Sequence, residues 1–201
     1  AYKIADLFSG TEPHDKSTNV WSRLKDPLYR FMKFAPRGWI YLNLVNMATI
    51  ERKPLESFDF EHDTILPRAF DQADRSVGKF LASKSPFRIV AAATVPNYAK
   101  AVQNTTYNQT LANEAQIVCA LERYRLADGE YPASLDPLVP SFIEKLPHDI
   151  IGGQPLHYRR TDDGKFLLYS VGWNEQDDGG KTALNQDGSE DRLRGDWVWK
   201  N

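Results

Sequence analysis

Apolar side chains recur at helical spacing through most of the first 126 residues and switch to short alternating runs only after Pro132. Trp21, Leu24, Leu28 and Phe31 fit one helical face, with Thr18 or Asn19 as a cap and Pro27 as an interruption. Pro36 suits the first turn of a second helix carrying Trp39, Leu42, Val45, Met47 and Ile50. Residues 51–63 read as a charged connector. Asp63 or Thr64 is then expected to cap a third helix containing Phe70, Val77 and Leu81, ending before Pro86. The strongest pattern is a long helix from about Pro96 to Leu126. It places Leu111, Ala115, Val118 and Leu121 on one face, with Ile117 and Tyr124 beside them, and Gly129 follows as a stop signal.

Beyond Pro132 the chain is punctuated by Pro137, Pro140, Pro147 and Pro155. Two strand-like runs follow, 156–160 and 165–171, and the Asp163-Gly164 pair between them marks a hairpin. A last strand is predicted over 196–199, with Trp197 and Trp199 on one face and Val198 on the other. The pattern therefore predicts an α+β chain: a helical first half, then a long helix packed on a small antiparallel sheet. The Leu111/Ala115/Val118/Leu121 stripe is the face expected to meet the two strands.

Composition is that of a globular protein, 41% hydrophobic and 26% charged, and the net charge of −2 gives no argument for a nucleic-acid partner. The acidity is uneven. Residues 172–201 hold seven acids against four bases. One cysteine, Cys119, allows no internal disulfide and no cysteine-rich zinc site. Its place near the apolar side of the long helix predicts a small core residue. No apolar run reaches the length of a membrane helix. The chain begins with Ala1, which reads as a processed chain or a fragment, with any targeting signal or membrane anchor expected outside these residues.

One segment carries a resemblance. "CALERYRLADGEYPASLDPLVPSFIEKLPHDIIGGQPLHYRRTDDGKFLLYSVG", residues 119–172, resembles the globular part of the major, G-type pseudopilin of type II secretion. The order is a helix ending in "ALERYRLADGEYP", a connector "LVPSFIEKLPHD", and strands "GGQPLHYRR" and "FLLYSVG"; the likeness extends over roughly residues 110–199. It implies a helix laid across an antiparallel sheet, a periplasmic or otherwise extracytoplasmic location, and a role in assembly through protein partners or self-assembly. On this reading residues 1–88 are a helical region and residues 89–201 a pseudopilin-like α+β domain. About a hundred residues of helical sequence precede the match, which a simple pseudopilin lacks.

The resemblance also implies calcium on the loop after the "YSVG" strand. There "WNEQDDGG" gathers acids on a glycine-containing turn, and Asn174, Asp177, Asp178, Asp191 and Asp196 are the expected ligands, with a backbone carbonyl near Val171 or Trp173. Calcium takes six to eight oxygens on a chain able to bend around it. The loop is not an EF-hand. With Gly179 at the glycine position, Asn185 falls where the bidentate glutamate belongs. The other reading is a solvated turn whose acids serve solubility.

The tryptophans 173, 197 and 199 also have two readings: an exposed face for carbohydrate or a cell-envelope component, or cover for the end of the sheet. Exposure of all three together separates them. His62-Asp63 and His148-Asp149 each look like half of a catalytic or metal pair without a third member, and no nucleophile, P-loop or dinucleotide motif accompanies them. The expected function is accordingly non-enzymatic and structural, with calcium as the expected stabilising ion.

Overall fold

The computed structural model describes residues 36–82, 85, 87, 88, 91, 92 and 98–200. The helix predicted around Trp21 to Phe31 lies outside them. Helix α1 spans Arg37–Leu55 and begins directly after Pro36, whose φ of −57° is already helical while its missing N–H costs nothing at a helix start. Trp39, Asn43 and Ile50 are buried on one side of it. A two-stranded antiparallel ribbon follows, β1 (Phe58–Asp59) against β2 (Thr64–Ile65). This replaces the expected charged connector. Its turn is fastened by the Asp59 carboxylate, which accepts the backbone N–H groups of Glu61 and His62 and contacts His62 Nδ1 at 2.7 Å.

Helix α2, Pro67–Ala82, starts at Pro67 rather than at Asp63 or Thr64, because those residues belong to the ribbon. It packs on α1 through Ile50, Val77 and Ala91, with Met47, Phe80 and Leu81 around them.

Helix α3 runs for 30 residues, Ala99–Asp128, about 45 Å. It stops at Gly129, whose φ of +89° is the left-handed geometry that glycine adopts without strain. Ile117, Ala120 and Leu121 pack on Leu156, Phe166 and Leu168 of the sheet and on Leu138 of the short 3₁₀ turn Asp136–Leu138. The sheet is antiparallel in the order β3 (His157–Arg160), β4 (Phe166–Ser170), β7 (Trp197–Val198). Between β4 and β7 the chain forms a second ribbon, β5 (Thr182–Leu184) with β6 (Glu190–Gly195). The fold is α+β.

The helix does face the strands, but with a different stripe from the one predicted. Of Leu111, Ala115, Val118 and Leu121 only Leu121 is fully buried. The inward stripe is Thr106, Thr110, Asn113, Glu114, Ile117, Ala120 and Leu121. In its polar first half Asn113 Nδ2 donates to the His148 carbonyl at 3.0 Å. Rotation of the stripe also turns Cys119 outward, so it is an exposed thiol and not a core residue.

A second core joins the two halves. Ile65 and Phe70 from the helical part pack with Ile151, Trp173 and Trp197. Backbone hydrogen bonds fix the junction: Ile65 N–H donates to the Ile150 carbonyl at 2.8 Å, and Gly152 N–H to the Ile65 carbonyl at 3.1 Å.

Candidate functional site

The acidic loop leaves β4 at a point where no side chain fits. A Cβ on Gly172 would stand 2.5 Å from the carbonyl oxygen of Gly195, and Gly172 has φ of +68°. Two glycines thus let the loop's beginning and end touch. Trp173 then turns inward. Its ring meets Phe70 edge-on at 5.8 Å, and its Nε1 donates to the Asp71 carboxylate at 3.2 and 3.3 Å. Glu175 reaches the start of α2, accepting Arg68 N–H at 3.1 Å and pairing with Arg68 Nε at 2.9 Å. A carboxylate at a helix N-terminus satisfies an orphan donor and complements the helix dipole.

At the far end of the loop stands Asp196, 1% exposed. Its Oδ1 accepts the N–H of Asp178 at 3.2 Å; its Oδ2 accepts those of Gly180 at 2.6 Å and Lys181 at 3.2 Å. Burial pushes the Asp196 carboxyl above the usual range, the three N–H donors oppose this, and the charge of Asp178 adds to the rise. Asn174 Nδ2 donates to Asp178 Oδ2 at 3.0 Å. Asn174, Asp178 and Asp196 are therefore linked in one hydrogen-bonded chain.

Asp177 and Asp191 are engaged differently. Asp177 accepts Gly179 N–H at 2.8 Å and the Tyr169 hydroxyl at 3.0 Å, with His157 Nδ1 at 3.6 Å. The Gly179 N–H and the Tyr169 hydroxyl hold its carboxyl below the usual range, whereas burial and Asp177 push the Tyr169 hydroxyl up to about 12. Asp191 accepts Leu193 N–H at 3.0 Å and pairs with Arg194 Nε at 2.6 Å, and Arg194 lowers its carboxyl. Of the backbone oxygens, the Asn174 carbonyl accepts Arg68 Nη2 at 3.3 Å.

Asn174, Asp178 and Asp196 have the oxygen chemistry a Ca²⁺ ion takes, and the repulsion of Asp178 on Asp196 is what a cation would relieve. Among the described residues no group of three or more His, Cys, Asp or Glu side chains is arranged to hold an ion.

No family model, curated protein or solved structure matches this chain.

The tryptophans do not form a common exposed face. Trp173 is 4% and Trp197 1% exposed, and Trp199 is half-buried against the main core. Trp197 packs edge-on to Tyr107 at 5.2 Å and donates Nε1 to the Arg192 carbonyl at 3.0 Å. The aromatic binding surface considered from sequence is thus interior. The histidine pairs also differ from those adjacent in sequence. His62 meets Asp59 rather than Asp63, and Asp149 turns from His148 to accept Ile151 N–H at 2.9 Å and Val171 N–H at 3.3 Å.

Sequence reasoning missed Glu175, Asp71 and a buried carboxylate, Glu114. The first two depend on contacts across more than a hundred residues. Glu114 did leave a signal: Thr110, Glu114, Ile117 and Leu121 follow helical spacing, so a glutamate occupies a core position of the stripe.

Proposed function

We propose that this is a non-enzymatic structural protein that self-assembles, in an extracytoplasmic setting linked to a type II secretion-like system. The observation that carries the reading is an apolar strip on α1. Tyr41, Leu42 and Val45 are 67%, 48% and 60% exposed on one side of the helix whose other side is buried. Adjacent exposed apolar side chains on a helix are the usual chemistry of a contact with another protein surface.

The loop supports the same reading. Glu175 fastens the loop to α2, and Asp196, directly before β7, fastens the loop's own N–H groups. Such fastening serves a rigid unit that presents a surface. Calcium belongs to the proposal at Asn174, Asp178 and Asp196, where it would add to the fastening. The secretion link draws on the resemblance of residues 119–172, and secretion ATPase and secretin genes beside this one would support it. The experiment for self-assembly is sedimentation velocity of the full chain against Leu42→Glu/Val45→Glu. Concentration-dependent association lost in the double variant supports the reading. A wild-type chain that stays monomeric overturns it.

A further inference from the structure

Glu114 sits in the middle of α3 with no exposed surface, and neither of its carboxylate oxygens accepts a hydrogen bond from any described residue. An ionised carboxylate in that position carries a large desolvation cost with no completed hydrogen bond to offset it. One turn earlier on the same face, Thr110 is also fully buried, and its hydroxyl has no hydrogen-bond partner among the described residues. Against this face lies Asp149, 2% exposed.

The two acids are not equivalent. Asp149 accepts N–H groups from Ile151 and Val171, and the Ser170 side chain adds a further hydrogen bond. Glu114 has only the Ser170 N–H directed toward it, without a completed hydrogen bond. When two buried carboxyls face one another, the one with fewer donors keeps the proton.

We propose that Glu114 is a proton lock: protonated, it lets α3 lie against the 148–151 segment and the end of β4, and its ionisation pries them apart.

The charged surroundings favour the protonated form. Burial and the charges of Asp149 and of Glu190 on β6 push the Glu114 carboxyl up to about 8. The other titratable groups around the pair are Tyr107, which interacts with Glu114, Glu190 and Arg192, Lys200, which stands 3.5 Å from Glu190, and His157, whose charge when protonated eases Asp149. His148 adjoins Asp149, with a buried Nε2 that has no hydrogen-bond partner among the described residues. None of these supplies a cation in direct contact with Glu114. The 148–151 segment also carries the backbone bonds to Ile65, so releasing it loosens the junction with the helical part as well.

The sign is fixed by linkage. The Glu114 pKa rises from an unfolded value of 4.5 to about 8 in the fold. Its contribution is complete below the lower value and is lost as pH climbs to the upper one. The folding equilibrium constant then falls by up to about tenfold per pH unit. The experiment is urea denaturation of the full chain across that window, for wild type and Glu114→Gln, which keeps the shape and cannot ionise. The wild-type midpoint is expected to fall with pH clearly more steeply than the variant's. Equal slopes in the two proteins overturn the proposal. Should the variant fail to fold, carboxyl-carbon NMR of ¹³C-glutamate wild type decides. A buried glutamate titrating above neutrality supports the lock, and all glutamates titrating near the unfolded value of 4.5 overturn it.

Discussion

Trp173 donates its indole N–H to the carboxylate of Asp71, 102 positions earlier in the chain, and by that contact the acidic loop is held to helix α2. The ring itself lies against Phe70 in the core shared by the two halves. The bond and the packing therefore act on one junction.

Breaking the bond should cost stability from either side. Asp71→Ala leaves a buried indole N–H without an acceptor and is expected to lower stability by about 1.5–3 kcal/mol; Trp173→Phe leaves the carboxylate without its donor and also shrinks a core side chain, so its loss should be larger. Combined, they should cost clearly less than the sum, because they remove one interaction. Urea denaturation of the four proteins measures the coupling. Additive losses would mean that the contact does not hold the loop to α2.

The calcium part of the proposal has its own outcome. Binding to the folded state alone raises stability by about 2.7 kcal/mol at a hundredfold excess over Kd. The melting midpoint is expected to be higher in millimolar Ca²⁺ than in EDTA. Mg²⁺ should have little effect, since it demands a tighter octahedron. Asp178→Ala should abolish the response. Identical wild-type midpoints in EDTA and Ca²⁺ would leave Asp196 as a hydrogen-bond hub and nothing more.

Cys119 gives a simple check on the orientation of α3. Its thiol lines a shallow open groove with Ala115, Gln116, Arg123, Phe142 and Ile143, on the side of the helix turned from Ile117 and Leu121. A thiol-specific reagent should therefore label the folded protein as completely as the denatured one. Protection in the native state would put the helix in the rotation predicted from Leu111, Ala115 and Val118.

That rotation shows where the sequence was readable and where it was not. The end of α3 could be read because Gly129 is the residue a left-handed cap favours. The β3–β4 hairpin could be read because Asp163-Gly164 suits the turn and the flanking runs favour strands. The direction of α3 could not. A stripe containing Thr106, Thr110, Asn113 and Glu114 does not stand out as apolar, and the eye moves to the leucines and alanines beside it. The β1–β2 ribbon has two residues per strand, too few for an alternation to be seen. The five expected ligands come as one set from the resemblance. In the fold Asp177 fastens Gly179 and Asp191 fastens Leu193, each two residues on, the local habit of aspartate in turns. Asp196 instead gathers N–H groups from 15 to 18 positions away, which spacing alone does not reveal.

The central claim is that the chain works by self-contact through α1, and sedimentation velocity of the full chain tests it most directly. Wild type should sediment faster as concentration rises from micromolar upward. Leu42→Glu/Val45→Glu should sediment as a monomer throughout. Its melting midpoint should be that of wild-type monomer, because both side chains are exposed and surface changes of this kind cost about 0.5 kcal/mol or less. A single monomeric species for wild type at every concentration, or association that persists in the double variant, would contradict the account.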